Sequence, residues 1–226
     1  MSISLLLFPE NCPLCNSALV KGEESICLSC LSDLPYSYFW SWRENPAEEL
    51  LQETIEVERV ASLFLYREES NWKRAIHKFK YGCDLKLGLF LASILATKLL
   101  ESGWRDYIDI VIPVPLHPLK KWRRGYNQSA IIASKIADIL NLPMVESFLK
   151  RRKYGVTQTH KNRERRQKGV KKAFVLTKKG IEGLEGKRVL LVDDVLTTGA
   201  TIEGCFNALL KGAPNSVLVA TLAFVE

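Results

Sequence analysis

Two adjacent carboxylates, Asp193 and Asp194, are the most chemically suggestive residues of this chain, because they directly follow four apolar residues. That run, Val189–Val192, does not alternate with polar residues, which is typical of a strand buried on both faces of a parallel sheet. Ligands of such sheets bind at the carboxyl ends of the strands. The sequence therefore predicts a binding site at the two aspartates.

A short turn of small and hydroxyl-bearing residues follows the carboxylates. It consists of Thr197, Thr198, Gly199, Ala200 and Thr201. A glycine lets the backbone approach a ligand closely, the hydroxyls donate hydrogen bonds, and a following helix points free N–H groups at the same place. We interpret the turn as a cradle for an anion such as a phosphate group.

Several kinds of site could use this arrangement of carboxylates and turn. An ATPase site also needs a phosphate loop of the Gly-x-x-x-x-Gly-Lys-Ser/Thr kind, and the sequence contains none. A metal-hydrolase site needs a histidine cluster, whereas His77, His117 and His160 are far apart in the sequence. A purely structural turn is disfavoured, because two adjacent buried carboxylates are unfavourable without a ligand or cation. The remaining interpretation is that the carboxylates accept hydrogen bonds from sugar hydroxyls while the turn binds the sugar's phosphate.

Basic residues accumulate in two loops of the predicted sheet. One loop follows a strand at Asp109–His117, precedes a helix at Ser129–Leu140, and contains Lys120, Lys121, Arg123 and Arg124. The other, Arg151–Lys172, has a single acidic residue, Glu164. It could be a solvated charge run, a groove for nucleic acid, or a lid over a phosphorylated ligand, and its place between two strands favours the lid.

Lys80 lies beside Gly82 at the end of a predicted helix. On the residues alone, this pair is best explained as a helix C-terminus with a lysine that complements the helix dipole.

Four of the six cysteines form two Cys-x-x-Cys pairs, Cys12/Cys15 and Cys27/Cys30. This spacing presents four thiolates to one tetrahedral metal ion, and Zn²⁺ is the usual occupant. We expect a structural zinc knuckle, because the stretch between the pairs has one basic residue, Lys21, and is otherwise poorly suited to nucleic acid.

The apolar and charged fractions of the chain are ordinary for a soluble globular protein. The chain has 226 residues and a formal net charge of +7, which favours phosphate-bearing partners without distinguishing metabolites from nucleic acid. No apolar run approaches the roughly 20 residues of a membrane span. The N-terminus lacks the basic region and cleavage site of a signal peptide, so we expect a cytoplasmic protein.

We expect three regions along the chain. Residues 1–40 form the four-cysteine zinc-binding module, residues 41–107 a connecting or hood segment with helices, and residues 108–226 the α/β domain. The connecting segment contains a plausible strand at Val60–Tyr66. In the closing unit, the acidic strand is followed by a helix and by an apolar strand at Ser216–Val225, which is a βαβ arrangement.

The stretch Val189–Thr201 closely resembles the signature of type I phosphoribosyltransferases, and nearly the whole chain resembles the ComF family. The shared features, besides the cysteine pairs and the Asp-Asp strand, are Phe79-Lys80-Tyr81, Pro113-Val-Pro115, Arg124-Gly-Tyr-Asn-Gln128, Thr157-Gln158 and Arg163–Arg166. The resemblance implies a type I phosphoribosyltransferase-like parallel sheet flanked by helices, with a small N-terminal zinc knuckle.

The resemblance also implies a ligand, 5-phosphoribosyl-1-pyrophosphate (PRPP) with Mg²⁺. Asp193 and Asp194 would then hold the ribose hydroxyls, directly or through hydrated Mg²⁺, and the turn Thr197–Thr201 would hold the 5′-phosphate. Lys80 and Arg124 become candidate pyrophosphate contacts. The segment Arg151–Lys172 matches the flexible catalytic loop, and Arg163 within it becomes a catalytic candidate.

One residue departs from a related pattern. Hypoxanthine–guanine transferases place an aspartate base where this chain has Thr197, which argues against a purine acceptor that must lose a proton there. The sequence names no acceptor. We therefore keep two hypotheses: a phosphoribosyltransferase linked to competence and DNA uptake, and a PRPP-binding or single-stranded-DNA-handling competence factor that transfers nothing. Competence-machinery proteins are possible partners of either.

Overall fold

A computed structural model describes residues 11–66, 70–82, 84–117, 119, 122, 124–152 and 173–225. Most of the basic segment, residues 153–172, lies outside this part of the chain. It includes the predicted catalytic residue Arg163 and the motif Thr157-Gln158. Among the described helices, none is long and apolar enough to cross a bilayer.

Helices and strands alternate through most of the chain. The described strands, in order, are β1 (Arg59–Tyr66), β2 (Ile110–Pro113), β3 (Leu149–Arg151), β4 (Phe174–Leu176), β5 (Arg188–Leu196) and β6 (Ser216–Val225). The described helices are α1 (Leu28–Ser32), α2 (Pro46–Gln52), α3 (Trp72–Tyr81), α4 (Leu85–Glu101), α5 (Gln128–Leu140), α6 (Lys178–Gly183) and α7 (Ala200–Leu209), with 3₁₀ helices at Trp104–Tyr107 and Leu210–Gly212.

The main sheet has the strand order β1-β6-β5-β2, and all of its strand pairs are parallel. The acidic strand β5 is an inner strand, as its apolar run predicts. Strand β1, which the sequence places in the connecting segment 41–107, pairs with β6 along its length. Strands β3 and β4 form a separate antiparallel pair at either end of the basic segment.

Strand β5 contributes side chains to a hydrophobic core on each face of the sheet. Leu190 and Val192 belong to the core that contains residues of α4 and α5, whereas Val189 and Leu191 belong to the core that contains residues of α2 and α7. Since successive side chains of a strand point to opposite faces, helices on both sides require the unbroken apolar run.

The cysteine module packs into the first of these cores. Leu14, Ile26 and Trp40 are buried there with the strand residues. The indole Nε1 of Trp104 donates a hydrogen bond to the carbonyl of Trp40, over 2.8 Å. Trp40, which follows the second cysteine pair, therefore helps to attach the module to the sheet and helices.

The register of the parallel strands brings chemically useful residues to one edge of the sheet. Pro113, the last residue of β2, is opposite Val192 of β5. Asp193 and Asp194 therefore follow immediately beyond the end of β2, where the chain of β2 leaves the sheet. Because the main strands are parallel, the ends of β1 and β6 reach the same edge.

A salt bridge joins β2 and β5 at the opposite edge. Arg188 donates two hydrogen bonds from its guanidinium to Asp109, of 2.8 and 3.1 Å, and its backbone N–H donates a third, of 2.8 Å. These hydrogen bonds lower the pKa of Asp109 to about 2. The pair is about one-third exposed, so solvent screens it.

We expect Asp109→Asn to destabilise the protein by about 1 kcal/mol near pH 7, after allowing for that screening. Because the folded pKa is below the ordinary value of 3.8, the stabilisation by Asp109 is complete above that value and is lost as the pH falls towards 2. The measurement is the free energy of urea unfolding at about pH 7 and about pH 3, where roughly half of the difference should remain.

The exposed carboxylate of Asp138 on α5 provides the matched control. Asp138→Asn should leave the unfolding free energy nearly unchanged at both pH values. A pH-independent loss in Asp109→Asn would contradict the assigned role of the ion pair.

Candidate functional site

A cavity of about 260 Å³ opens at the carboxyl edge of the main sheet. The predicted site residues that line it are Lys80, Arg124, Asp193, Asp194, Thr197 and Thr201. These residues come from the end of α3, the segment just before α5, the end of β5 with the turn after it, and the start of α7. The fold thus brings together carboxylates, cations and hydroxyls from positions 80 to 201 of the sequence.

The two carboxylates lie at the floor of the cavity and are both 9% exposed. One oxygen of Asp193, Oδ1, accepts hydrogen bonds from Ser129 Oγ at 2.7 Å and from the backbone N–H of Asp194 at 2.8 Å. Burial, together with the charge of Asp194, raises the pKa of Asp193 to about 7. The surrounding groups therefore neutralise the carboxylate pair only in part.

Lys80 forms an ion pair with the second carboxylate. Its Nζ lies 3.1 Å from Asp194 Oδ1, with side-chain exposures of 22% for Lys80 and 13% for Asp194. Lys80 is in the last turn of α3, where a lysine also complements the helix dipole. The residues alone favoured that capping role; the structure adds direct contact with the acidic strand.

The start of α5 holds the end of α3 by hydrogen bonds to its free carbonyl groups. Tyr126 donates from its hydroxyl to the carbonyl of Phe79, and Gln128 donates from Nε2 to the carbonyl of Lys80 over 3.3 Å. The last carbonyls of a helix lack partners within the helix, so these side chains supply what α3 needs. This arrangement fixes the backbone from which Lys80 extends.

Arg124 is held by the same two elements. Its guanidinium donates to Gln128 Oε1 at 3.1 Å and to the hydroxyl of Tyr81 at 2.9 Å, and lies 4.6 Å from the centre of the Tyr81 ring. Hydrogen bonding and cation–π attraction restrict a side chain that would otherwise be flexible. A fixed guanidinium at the wall of a cavity is suited to bind phosphate oxygens.

The turn after the carboxylates has the conformation expected of an anion cradle. Gly199 has φ +73°, in the left-handed region, and immediately precedes α7. Thr197 and Thr201 line the cavity, whereas Thr198, Gly199 and Ala200 belong to the same turn without lining it. The N–H groups of the first turn of a helix have no partners within the helix and are available to an anion.

The cavity is also lined by residues that no sequence pattern had distinguished as site residues, including Tyr66, Ser129 and Arg151. Ser129 is in the first turn of α5, and only its spatial neighbour Asp193 reveals its role. Arg151 is the last residue of β3 and lies over the ring of Phe174, at 5.1 Å from its centre. Burial lowers its pKa, but in the sequence it is one of many basic residues, with nothing to distinguish it.

The four cysteines of the two pairs form a second cluster, away from the cavity. Their Sγ atoms all lie within 4.8 Å of one another, and those of Cys15 and Cys27 are 3.6 Å apart. The cysteines are free thiols. In a tetrahedral site with Zn–S bonds of about 2.3 Å, neighbouring sulfurs are roughly 3.8 Å apart, so the cluster has the size that a metal ion such as Zn²⁺ requires.

Comparison with known proteins shows the family to which this chain is related. Residues 126–225, from the start of α5 through β6, match the family model described as "Phosphoribosyl transferase domain". "Competence protein F" of Haemophilus influenzae is 31% identical over 151 residues, which are 66% of this chain and 66% of that protein. The chain belongs to the ComF family.

A second ComF-family relative matches over a longer part of the chain. "DNA utilization protein YhgH" of Salmonella typhimurium is 27% identical over 211 residues, covering 92% of this chain and 87% of that protein. Among solved structures, a purine phosphoribosyltransferase from Pyrococcus horikoshii aligns with a TM-score of 0.38 and 22% identity, covering 59% of this chain and 70% of the other. The family match and the parallel sheet confirm the predicted fold class, a type I phosphoribosyltransferase-like sheet flanked by helices.

The cradle turn depends on glycine at position 199 for two reasons. An alanine there would have to adopt a left-handed conformation, which costs about 1–2 kcal/mol, and its Cβ would lie 2.7 Å from Leu51 Cδ2. We expect Gly199→Ala to lower the free energy of urea unfolding by both effects.

Gly103 is the matched control, since its φ is also +73° and an added Cβ would meet no atom within 4 Å. Gly103→Ala should therefore show the cost of the conformation alone, and Gly199→Ala should be less stable by about a further 1 kcal/mol. Equal losses in the two variants would mean that Leu51 moves aside freely.

Proposed function

We propose that this protein binds PRPP together with Mg²⁺ in the cavity at the edge of the sheet, and transfers the phosphoribosyl group to an acceptor. The observation that carries this proposal is that one cavity combines a carboxylate pair with two cations. Asp193 and Asp194 form an acidic floor, while Lys80 and Arg124 are cations of the same cavity and the glycine turn lies beside it. PRPP has matching parts: hydroxyls, a pyrophosphate and a 5′-phosphate.

The donor set fits Mg²⁺. This ion takes oxygen ligands and is usually held by one or two carboxylates together with substrate phosphates. Burial and the charge of Asp194 raise the pKa of Asp193, so a bound cation would stabilise the charged form of this carboxylate. Asp193 and Asp194 would hold the ion or its water molecules, as well as the ribose hydroxyls. When bound, Mg²⁺ would neutralise charge on the pyrophosphate.

The reaction would be a displacement at the anomeric carbon. A lone pair of the acceptor forms the new bond to that carbon, and the bond to the pyrophosphate oxygen breaks with its electron pair leaving on pyrophosphate. Lys80 and Arg124 would stabilise the charge that develops on the leaving group. Thr197, which carries no carboxylate, favours an acceptor that does not depend on an acid–base group at that position.

We also propose a link to competence and DNA uptake, based on what the names of the two relatives say of those proteins, with competence-machinery proteins as possible partners. A PRPP-binding factor without transferase activity would fit the same cavity, and pyrophosphate release in a screen of acceptors separates the two. Contact with single-stranded DNA stays a prediction from the net charge of +7 and the basic segment.

A further part of the proposal concerns the four-cysteine cluster, which we assign to structural Zn²⁺. The cluster is built from a segment that is too short to form a core of its own. Metal binding would therefore supply much of the free energy that orders it.

We expect wild-type protein with Mg²⁺ to bind PRPP, and the variant Asp193→Asn/Asp194→Asn to bind it at least about 100-fold more weakly, since two charge-assisted hydrogen bonds are lost. Isothermal titration calorimetry measures both affinities. The variant should remain folded, because removing two adjacent buried charges relieves their repulsion. Asp138→Asn serves as the control for a carboxylate distant from the cavity. No detectable binding by wild type would overturn the ligand assignment.

Purified wild-type protein should contain about one zinc ion per chain. We expect Cys12→Ser/Cys15→Ser to lose most of it, and to unfold at a lower temperature because the module is part of the core. Elemental analysis by mass spectrometry measures the metal. The variant Cys205→Ala, which removes a buried cysteine outside the cluster, should retain its zinc. Unchanged zinc content in the double variant would refute the site.

A further inference from the structure

We propose that Lys80 is an exchangeable internal cation: its ammonium group occupies the cation position of the carboxylate pair in the ligand-free protein, and leaves Asp194 when a divalent metal binds. The destination of the ammonium, a phosphate group of the incoming ligand, rests on the proposed function. The occupation of the cation position by Lys80 does not.

The ammonium group of Lys80 and a bound metal ion would compete for the same oxygen atom, Asp194 Oδ1. Lys80 Nζ lies 3.1 Å from Asp194 Oδ1. A Mg²⁺ ion bound directly to a carboxylate oxygen lies about 2.1 Å from it, and a hydrated ion places its water at hydrogen-bond distance. In either case, the ammonium and the metal are like charges that need the same small space beside a carboxylate that is only 13% exposed. They therefore exclude each other at Asp194 Oδ1.

The backbone at Lys80 is held in place by hydrogen bonds, whereas its side chain can rotate. The carbonyl of Lys80 accepts a hydrogen bond from Gln128, and the carbonyl of Phe79 accepts one from Tyr126. The ring of Phe79 is fully buried. A lysine side chain has four rotatable methylene groups and a compact charged end. Its ammonium can leave Asp194 while α3 stays in place.

Two other charged groups of the cavity, Asp193 and Arg124, are held differently from Lys80. Asp193 is fixed by Ser129 and by the backbone of Asp194. Arg124 is fixed by Gln128 and Tyr81. The partner of Lys80, by contrast, is one of the carboxylates that the metal needs. Metal without an anionic ligand must displace Lys80 with no compensation, so metal and phosphate should bind cooperatively.

The test uses a metal ion alone, with no phosphoribosyl ligand. Mn²⁺ is titrated into zinc-loaded wild type, Lys80→Met and Arg124→Met, and free Mn²⁺ is measured by electron paramagnetic resonance. We expect Lys80→Met to bind Mn²⁺ at least about fivefold more tightly than wild type. Arg124→Met removes the same charge from the same cavity but leaves the Lys80–Asp194 pair intact, so it should show a clearly smaller gain.

Two outcomes would overturn the proposal. One is equal or weaker Mn²⁺ binding by Lys80→Met than by wild type, and the other is an equal gain in the two variants, which would indicate a general effect of charge. Lys80→Arg retains the cation and should restore weak Mn²⁺ binding. If Lys80→Met does not fold, Lys80→Gln replaces it, since the amide keeps a hydrogen-bond donor without the charge.

A second titration, with PRPP and Mg²⁺, separates this proposal from the proposed function. We expect Lys80→Met to bind PRPP at least about fivefold more weakly than wild type, opposite in direction to its effect on the metal. A wild type that fails to bind PRPP while Lys80→Met still gains Mn²⁺ affinity would refute the ligand and support the role of Lys80. PRPP binding by wild type with no metal effect in Lys80→Met would do the reverse.

Discussion

The burial of two adjacent carboxylates at the end of an inner strand is the constraint on which the rest of this structure depends. Asp193 and Asp194 are both 9% exposed, and the pair needs compensation beyond the backbone hydrogen bond that Asp194 donates to Asp193. Ser129 supplies a hydrogen bond from α5, and Lys80 supplies a charge from α3. The positions of two helices relative to the sheet are thereby linked to the electrostatics of one cavity.

The segment Arg124–Ser129 makes this compensation possible. It contacts three consecutive residues, Phe79–Tyr81, through the side chains of Tyr126, Gln128 and Arg124. Its last residue, Ser129, reaches Asp193. One short stretch thus holds both the acidic strand and the helix that provides its counter-charge. Phe79-Lys80-Tyr81 and Arg124–Gln128, which both belong to the resemblance to the ComF family, therefore contact each other in the folded chain although more than 40 positions separate them.

The sequence predicted this structure where local pattern and tertiary environment agree. The unbroken apolar run Val189–Val192 requires cover on both faces, so it identified an inner parallel strand. The pairing of Lys80 with Asp194 was not predictable from local pattern, since a lysine at a helix end is equally explained by the helix dipole. Ser129 and Arg151 were missed for a related reason: only the folded chain brings them to the carboxylates.

The way in which the cysteine module shares the core has a practical consequence for the design of shorter versions of this protein. Phe39 packs against Phe224 of the last strand, with ring centres 5.8 Å apart, and Leu14 and Trp40 are buried on the other face of the sheet. Residues within 11–40 therefore cover both faces of the sheet that they precede. Cutting the chain after the second cysteine pair would open the interior rather than release a separate unit, so genetic dissection of this protein needs point variants instead of truncations.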